Sequence, residues 1–287
     1  MRRRQFIGLF ALLISPLLRA AGNASSLRIG LTPTLLHERH TLLAEWKTYL
    51  ETRLGMPVSF VLRDSYRDTM DLIKQQRLDV AWLSDYPYVL MQPWVRLLAT
   101  PLKDGRPYYR SYLIVPARDT RSLAITDLAG KVFAYADPYS HTGYLFPRHT
   151  LAALGKSPKT FFGRTFFTWS HRKAIEAVAQ HLADGAAVES YIWDGLAREE
   201  PQLTGATRIV SRSQEFGFPP LVARKNLPQK TFRKLRRVLT EMGQDAQGRQ
   251  ILAKLHLDGF IAGDPDLYIE VERMAQAAAR LEDAAHY

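Results

Sequence analysis

The chain has 287 residues, 46% hydrophobic and 23% charged, with 39 Lys and Arg against 28 Asp and Glu for a formal net charge of +11. That length suits two lobes of ordinary size, and that composition excludes a disordered or low-complexity chain. With no cysteine, disulfides, thiolate metal sites, cysteine nucleophiles and a lipidated N-terminal cysteine are excluded as well.

Arg2, Arg3 and Arg4 precede an apolar run from Phe6 to Leu18, and small residues continue to Gly22-Asn23-Ala24. A basic start, a short apolar stretch and a small-residue cleavage site predict a secretory signal peptide over 1–24. The run is shorter than the roughly 20 residues of a membrane anchor. Arg3-Arg4-Gln5-Phe6-Ile7 resembles a twin-arginine export signal; the alternative is a general secretory leader. Cleavage removes Arg2, Arg3, Arg4 and Arg19 and no acid, so the mature chain stays basic. Scattered positive charge on an exported protein suits a small anionic ligand or an anionic surface better than nucleic acid. The densest cluster, Arg233-Lys234 with Arg236-Arg237, reads as the solvated face of a helix.

Short apolar runs then alternate with amphipathic stretches. Leu27–Leu31 is a predicted strand, about Arg39–Leu54 a helix closed by Gly55, and Pro57–Leu62 a strand. Tyr66–Gln76 has helical spacing and Asp79–Leu83 is again a strand. The unit recurs with strands at Tyr112–Pro116, Lys131–Tyr135, Phe161–Phe167 and Gly185–Val188, and a helix over Lys173–Leu182. After Ile209-Val210 and Phe216-Gly217-Phe218-Pro219-Pro220 come a last strand and two long helical stretches. This alternation predicts an α/β fold with mostly parallel sheets. The C-terminal helices, lacking a sheet of their own, are expected to return to the first lobe. The expected division is a first lobe over 25–114, a second over 115–212 and a return segment over 213–287. Two such lobes joined by two crossovers would form a ligand cleft between them.

The stretch Gly130-Lys131-Val132-Phe133-Ala134-Tyr135-Ala136-Asp137-Pro138-Tyr139-Ser140-His141-Thr142-Gly143 carries the most chemistry. A strand ends at Asp-Pro and a hydroxyl-rich segment opens a helix. The first N–H groups of a helix lack internal partners and sit at its positive end, which makes an anion site. Ser140 and Thr142 add hydroxyls, and Gly143 lets the backbone approach closely. The plainer alternative is that Ser140 only caps the helix.

This stretch resembles the phosphate/phosphite/phosphonate substrate-binding proteins of ABC transporters, in which Gly-Lys-x-Phe-Ala leads to Asp-Pro-x-Ser-Thr-Ser-Gly. The resemblance implies a type 2 periplasmic binding-protein fold, with Ser140, His141 and Thr142 holding the ligand's oxygens together with the amides up to Gly143. His141 departs from the pattern, standing where Thr is expected. Asp64-Ser65-Tyr66, Leu78 to Ser84 and Tyr88-Val89 resemble the first-lobe ligand face, with Ser84-Asp85 where Gly-Pro is common. Tyr109 to Val115 resembles the crossover strand, Phe161-Phe162 with Ser170-His171 a segment bearing a ligand-facing His, and Ala187-Val188-Glu189-Ser190 an Ala-Val-Asp-Ser motif. Gly248-Arg249, Ile251-Leu252, Gly259-Phe260 and Tyr268 resemble the C-terminal helices.

The implied ligand site is Tyr66, Tyr88, Tyr109, Ser140, His141, Thr142, Gly143, His171 and Glu189. A Glu189 carboxylate would accept a proton from a singly protonated phosphate or phosphonate and repel sulfate, which offers only acceptors. The implied protein is a periplasmic monomer that needs no cofactor or metal and delivers its oxyanion to an ABC permease. A sensor subunit presenting the ligand to a membrane histidine kinase shares the same fold. Other readings fail on their residues. Gly155-Lys156-Ser157 has Thr150 where a phosphate-binding loop needs glycine, and His37-Glu38-Arg39-His40 lacks metalloprotease spacing. A hydrolase built from His171, Ser140 and Asp137 lacks a nucleophile turn, so no enzymatic activity is expected.

Overall fold

A computed structural model describes residues 26–31 and 40–284. The expected signal peptide and residues His37 to Arg39 lie outside the described residues.

Strand β1 (Leu27–Leu31) is followed by helix α1 (His40–Leu54), β2 (Val58–Leu62), α2 (Tyr66–Lys74), β3 (Val80–Trp82), α3 (Asp85–Met91), β4 (Val95–Leu102) and the short β5 (Tyr108–Tyr109). Helix α1 buries Leu42, Leu43, Trp46, Tyr49, Leu50 and Leu54, the three- and four-residue spacing of a single apolar face. Gly55, at φ +64, ends it as the sequence predicts. Ser65 caps α2, its hydroxyl accepting from the Asp68 amide.

The chain then builds β6 (Ser111–Pro116), β7 (Val132–Tyr135), a π-type turn at His141–Leu145, α4 (Phe146–Ala153), β8 (Arg164–Phe167), α5 (His171–Ala179), β9 (Gly185–Glu189), α6 (Ser190–Glu199), α7 (Pro201–Gly205) and β10 (Thr207–Arg212). It returns through β11 (Phe216–Gly217) to β12 (Leu221–Arg224), α8 (Gln229–Thr240), α9 (Ala246–Lys254), β13 (Gly259–Ala262) and α10 (Ile269–Ala284).

Two main sheets result. One has the order β13-β4-β12-β3-β1-β2 and the other β10-β6-β9-β7-β8, while β5 and β11 form a separate ribbon. Among the described residues, only β2-β1-β3 and β8-β7-β9 are parallel. Both sheets are therefore mixed, not mostly parallel as the sequence suggested. Strands β12 and β13 arrive from the C-terminal return and run antiparallel to their neighbours, as do β6 and β10 around the crossover. All of β6 pairs within the five-stranded sheet, so the expected lobe boundary at 114 falls inside a strand. The passage between sheets lies at the antiparallel β5/β11 ribbon, where Phe216 faces Tyr109. Helices α8 and α9 pack on α1, and α10 on α3, while β13 runs between α9 and α10 and joins the six-stranded sheet beside β4.

In each lobe the parallel strands carry their C-terminal ends toward the chemistry-bearing loops. Strand β2 leads to Ser65-Tyr66, β3 to Ser84-Asp85, β7 to Asp137–Gly143, β8 to Ser170-His171, and β9 ends on Glu189. Ligands of open α/β sheets bind outside such strand ends.

Candidate functional site

The segment after β7 is a built turn. Asp137 accepts the Tyr139 amide at 2.7 Å, which folds the chain back. Ser140 caps the π-type turn, its Oγ accepting the Gly143 amide at 3.0 Å. The Ser111 hydroxyl, from β6, donates to the Thr142 carbonyl at 2.8 Å and ties the turn to the sheet. Gly143 is sterically required: an added Cβ would stand 2.6 Å from Ala136 Cβ and 3.0 Å from both His171 Cε1 and Ser140 Oγ.

Ser140 is more than a cap. His171, at the start of α5, places Nε2 3.1 Å from Ser140 Oγ, and its Nδ1 lies 3.2 Å from the Glu189 amide. An amide can only donate, so Nδ1 accepts and the ring hydrogen of neutral His171 sits on Nε2. Burial holds the imidazole neutral, with its pKa pushed down to about 3. Ser140 Oγ therefore accepts two hydrogen bonds, one from the Gly143 amide and one from His171. Its own O–H hydrogen is left to point elsewhere, a donor with both lone pairs engaged.

Glu189 Oε2 lies 3.7 Å from His171 Nε2, and the side chain is buried. Burial, then the nearby Asp85 charge, push its carboxyl up to about 8. Burial thus favours the protonated carboxyl over the expected carboxylate, and that form offers a donor on one oxygen and an acceptor on the other. Tyr66, the first residue of α2, is buried and its phenol is held far above the ordinary value by burial and by Glu189, Asp137 and Asp85. Its amide donates to Asp137 Oδ2 at 3.4 Å, a contact between the two lobes. Burial likewise raises the Asp137 carboxyl. Tyr66 and Glu189 line a cavity of about 10 Å³ together with Trp82, Leu83, Ser84, Tyr191 and Pro219. No Lys or Arg is among these residues, so hydroxyl, amide and carboxyl hydrogens supply the polarity.

Three expected residues take other places. Tyr88 packs edge-on against Tyr268, centroids 4.8 Å apart, within the apolar core of the first lobe, and does not line the cavity. Tyr109, on the ribbon, donates its hydroxyl to Asp85 Oδ1 at 2.7 Å. The His141 ring turns toward the same carboxylate, with Nδ1 2.7 Å from Asp85 Oδ2. Thr142 and Ser140 are buried alongside. Asp85 and Asp137 were not expected in the site. Both were visible beforehand only indirectly, Asp85 as a departure from Gly-Pro and Asp137 as a turn signal.

The chain matches the family described as "ABC transporter, phosphonate, periplasmic substrate-binding protein" over residues 29–268. It is 26% identical over 282 residues to the phosphonates-binding periplasmic protein of Escherichia coli (strain K12), covering 94% of this chain and 82% of the relative. Among solved structures it resembles a binding protein component of an ABC phosphonate transporter from Pseudomonas aeruginosa, with TM-score 0.83 and 22% identity, covering 91% of this chain and 89% of that one. A protein of Prochlorococcus marinus in complex with methylphosphonate superposes with TM-score 0.80 at 19% identity, covering 90% and 99% of the two chains. These structures share the two-lobed α/β fold. The chain belongs to the periplasmic substrate-binding proteins of phosphonate ABC transporters.

Proposed function

We propose that the mature chain is a periplasmic binding protein that captures a phosphorus oxyanion, whether phosphate, phosphite or phosphonate, between its lobes and delivers it to an ABC permease. The N-terminal segment is then a signal peptide removed on export, and the protein acts as a monomer without catalysing a reaction. The family is described as a substrate-binding protein of an ABC transporter and a solved neighbour is named as a component of one, which favours a permease over a sensor kinase as the partner.

The observation that carries this reading is the hydrogen-bond bookkeeping at Ser140. Its oxygen is saturated by Gly143 and His171, so its hydroxyl hydrogen is free to meet an anionic oxygen. Thr142 and the amides at the start of the turn add donors at the positive end of the helix. Tyr66 and protonated Glu189 line the small cavity at the lobe boundary. A carboxyl with one donor and one acceptor pairs with P–O⁻ and P–OH together, whereas sulfate leaves the acceptor unmet. Titration calorimetry of the mature chain with phosphate, phosphite, methylphosphonate and sulfate tests this. At least one phosphorus oxyanion should bind at least tenfold more tightly than sulfate. Equal affinity for sulfate would remove Glu189 as the selector, and no binding by any of the three would remove the oxyanion assignment.

A further inference from the structure

Two of the positions where this chain leaves the family pattern, His141 in place of Thr and Asp85 in place of Pro, are two halves of one contact. His141 Nδ1 lies 2.7 Å from Asp85 Oδ2. The bond joins the turn after β7 in the second lobe to the start of α3 in the first. Both residues have 0% exposure. Tyr109 gives its hydroxyl hydrogen to Asp85 Oδ1 and stands 3.2 Å from His141 Nδ1. Having donated, the phenol oxygen can only accept, so Nδ1 bears a hydrogen directed at both Asp85 and Tyr109. The Ser84 hydroxyl and the Tyr86 amide, each at 3.1 Å, complete the donors around the carboxylate. Phe216 and Phe146 enclose the imidazole, with centroids 4.4 and 6.4 Å from its own.

A carboxylate this deep is tolerated only while its donors stay in place. Ser84, Tyr86 and Asp85 move together on the first lobe, and Tyr109 sits on the connecting ribbon. His141 alone comes from the second lobe, so separating the lobes removes one charge-assisted donor. An opening of about 1 Å takes a contact of this length out of hydrogen-bond range. Other cross-lobe contacts include Tyr191 Oη to the Leu255 carbonyl and His256 Nε2 to Glu199, each at 2.6 Å and both between α6 and the end of α9, and the looser Tyr66 N to Asp137 at 3.4 Å and Arg67 guanidinium 5.4 Å from the centre of the Tyr139 ring.

We propose that Asp85 and His141 form a latch that closes the cleft through the protein's own contacts and thereby restricts it to compact ligands. The pair acts by positioning the lobes. Its bonds favour the closed arrangement whatever is bound, so the ligand supplies only the rest of the closing free energy. A ligand bulky enough to hold the lobes apart forfeits the latch, and a compact one keeps it. Thr and Gly-Pro at the same positions carry neither a charge nor the reach to meet.

The latch rests on the reading of the chain as a two-lobed binder, not on the identity of the oxyanion, so its decisive readout uses no ligand. Small-angle X-ray scattering is recorded on the mature chain as wild type, Asp85→Asn, His141→Thr and the double variant, each checked for native circular dichroism. The wild type should have the smallest radius of gyration. Either single variant should expand it, and the double should expand it no further, because all three remove the same contact. Should His141→Thr not fold, His141→Leu replaces it, since an apolar side chain of similar size has no hydrogen to give Asp85. In calorimetry the latch variants should bind methylphosphonate roughly ten- to a hundredfold more weakly. They should also discriminate less against phenylphosphonate than the wild type does. Equal radii in all four proteins, or additive expansion in the double variant, would overturn the latch. If the wild type binds no oxyanion while the radii behave as stated, the ligand assignment fails and the latch stands.

Discussion

Burial drives Glu189 and His171, 3.7 Å apart, in opposite directions, and both toward the neutral form. Folded Glu189 holds its proton to about pH 8 against an ordinary 4.5. Its contribution to stability is therefore complete below pH 4.5 and is lost as pH rises through 8. Folded His171 protonates only near pH 3 against an ordinary 6.5, so its contribution is complete above pH 6.5 and is lost as pH falls toward 3. Glu189→Gln removes the first effect alone. Between pH 5 and 8.5 the midpoint of the wild type should fall more steeply than that of Glu189→Gln, while below about pH 4, where Glu189 is protonated folded or unfolded, the two acid limbs run parallel. Parallel curves across the alkaline range would show that Glu189 is not protonated in the folded protein. At this scale the sequence was legible where chemistry is local. Ser140, Thr142 and Gly143 could be read as a turn opening a helix. Asp85 could not be placed in the same way, because its partner His141 lies 56 residues along the chain and in the other lobe.

The ribbon β5/β11 is the element through which both crossings pass. Arg106 grips Glu215 with both terminal nitrogens, at 2.9 and 2.6 Å, and Arg110 reaches the same carboxylate at 3.1 Å. These groups are partly exposed, so their attraction is modest and adjustable. The backbone is less forgiving. Gly217 passes so close to the turn before α10 that an added Cβ would lie 2.6 Å from the Leu267 carbonyl oxygen. Gly217→Ala should lower stability by about 1–3 kcal/mol, the usual cost of forcing extra volume into a packed site. Denaturant unfolding checks this, and an unchanged midpoint would mean that the ribbon yields freely there. Most elements could be read from periodicity, with β1 matching to the residue. Strands β4 and β13 were missed for identifiable reasons. Pro101 interrupts β4, which the structure tolerates because β12 pairs only with Val95 to Ala99 and Pro101 lies beyond that stretch. Strand β13 has only four residues between two helices, too few to show an alternating pattern.

Across the whole molecule, the ends of five strands bring Tyr66, Asp85, Ser140, His171 and Glu189 to one cleft although they span more than a hundred positions of sequence. The lobes meet there through hydrogen bonds between buried polar groups, beside a cavity without Lys or Arg. A chain whose positive charge is spread over its surface can draw an anion toward this cleft, while neutral donors inside it hold the anion. The two-lobed architecture was legible from the alternation of elements and from the family resemblance. The cross-lobe bonds were not, since each depends on how far the lobes close.

Oxyanion capture at Ser140 and Thr142 is tested most directly by thermal unfolding of the mature chain against phosphate, phosphite, methylphosphonate and sulfate, for the wild type and for Ser140→Ala with Thr142→Ala. A phosphorus oxyanion at a hundred times its Kd should add about 2.7 kcal/mol, a rise on the order of 5 to 10 °C. The wild type should show that rise, with little or none in sulfate, and the double variant should show none at the same concentration. An equal rise in the double variant would place the oxyanion elsewhere, and no rise with any phosphorus oxyanion would contradict the proposed ligand.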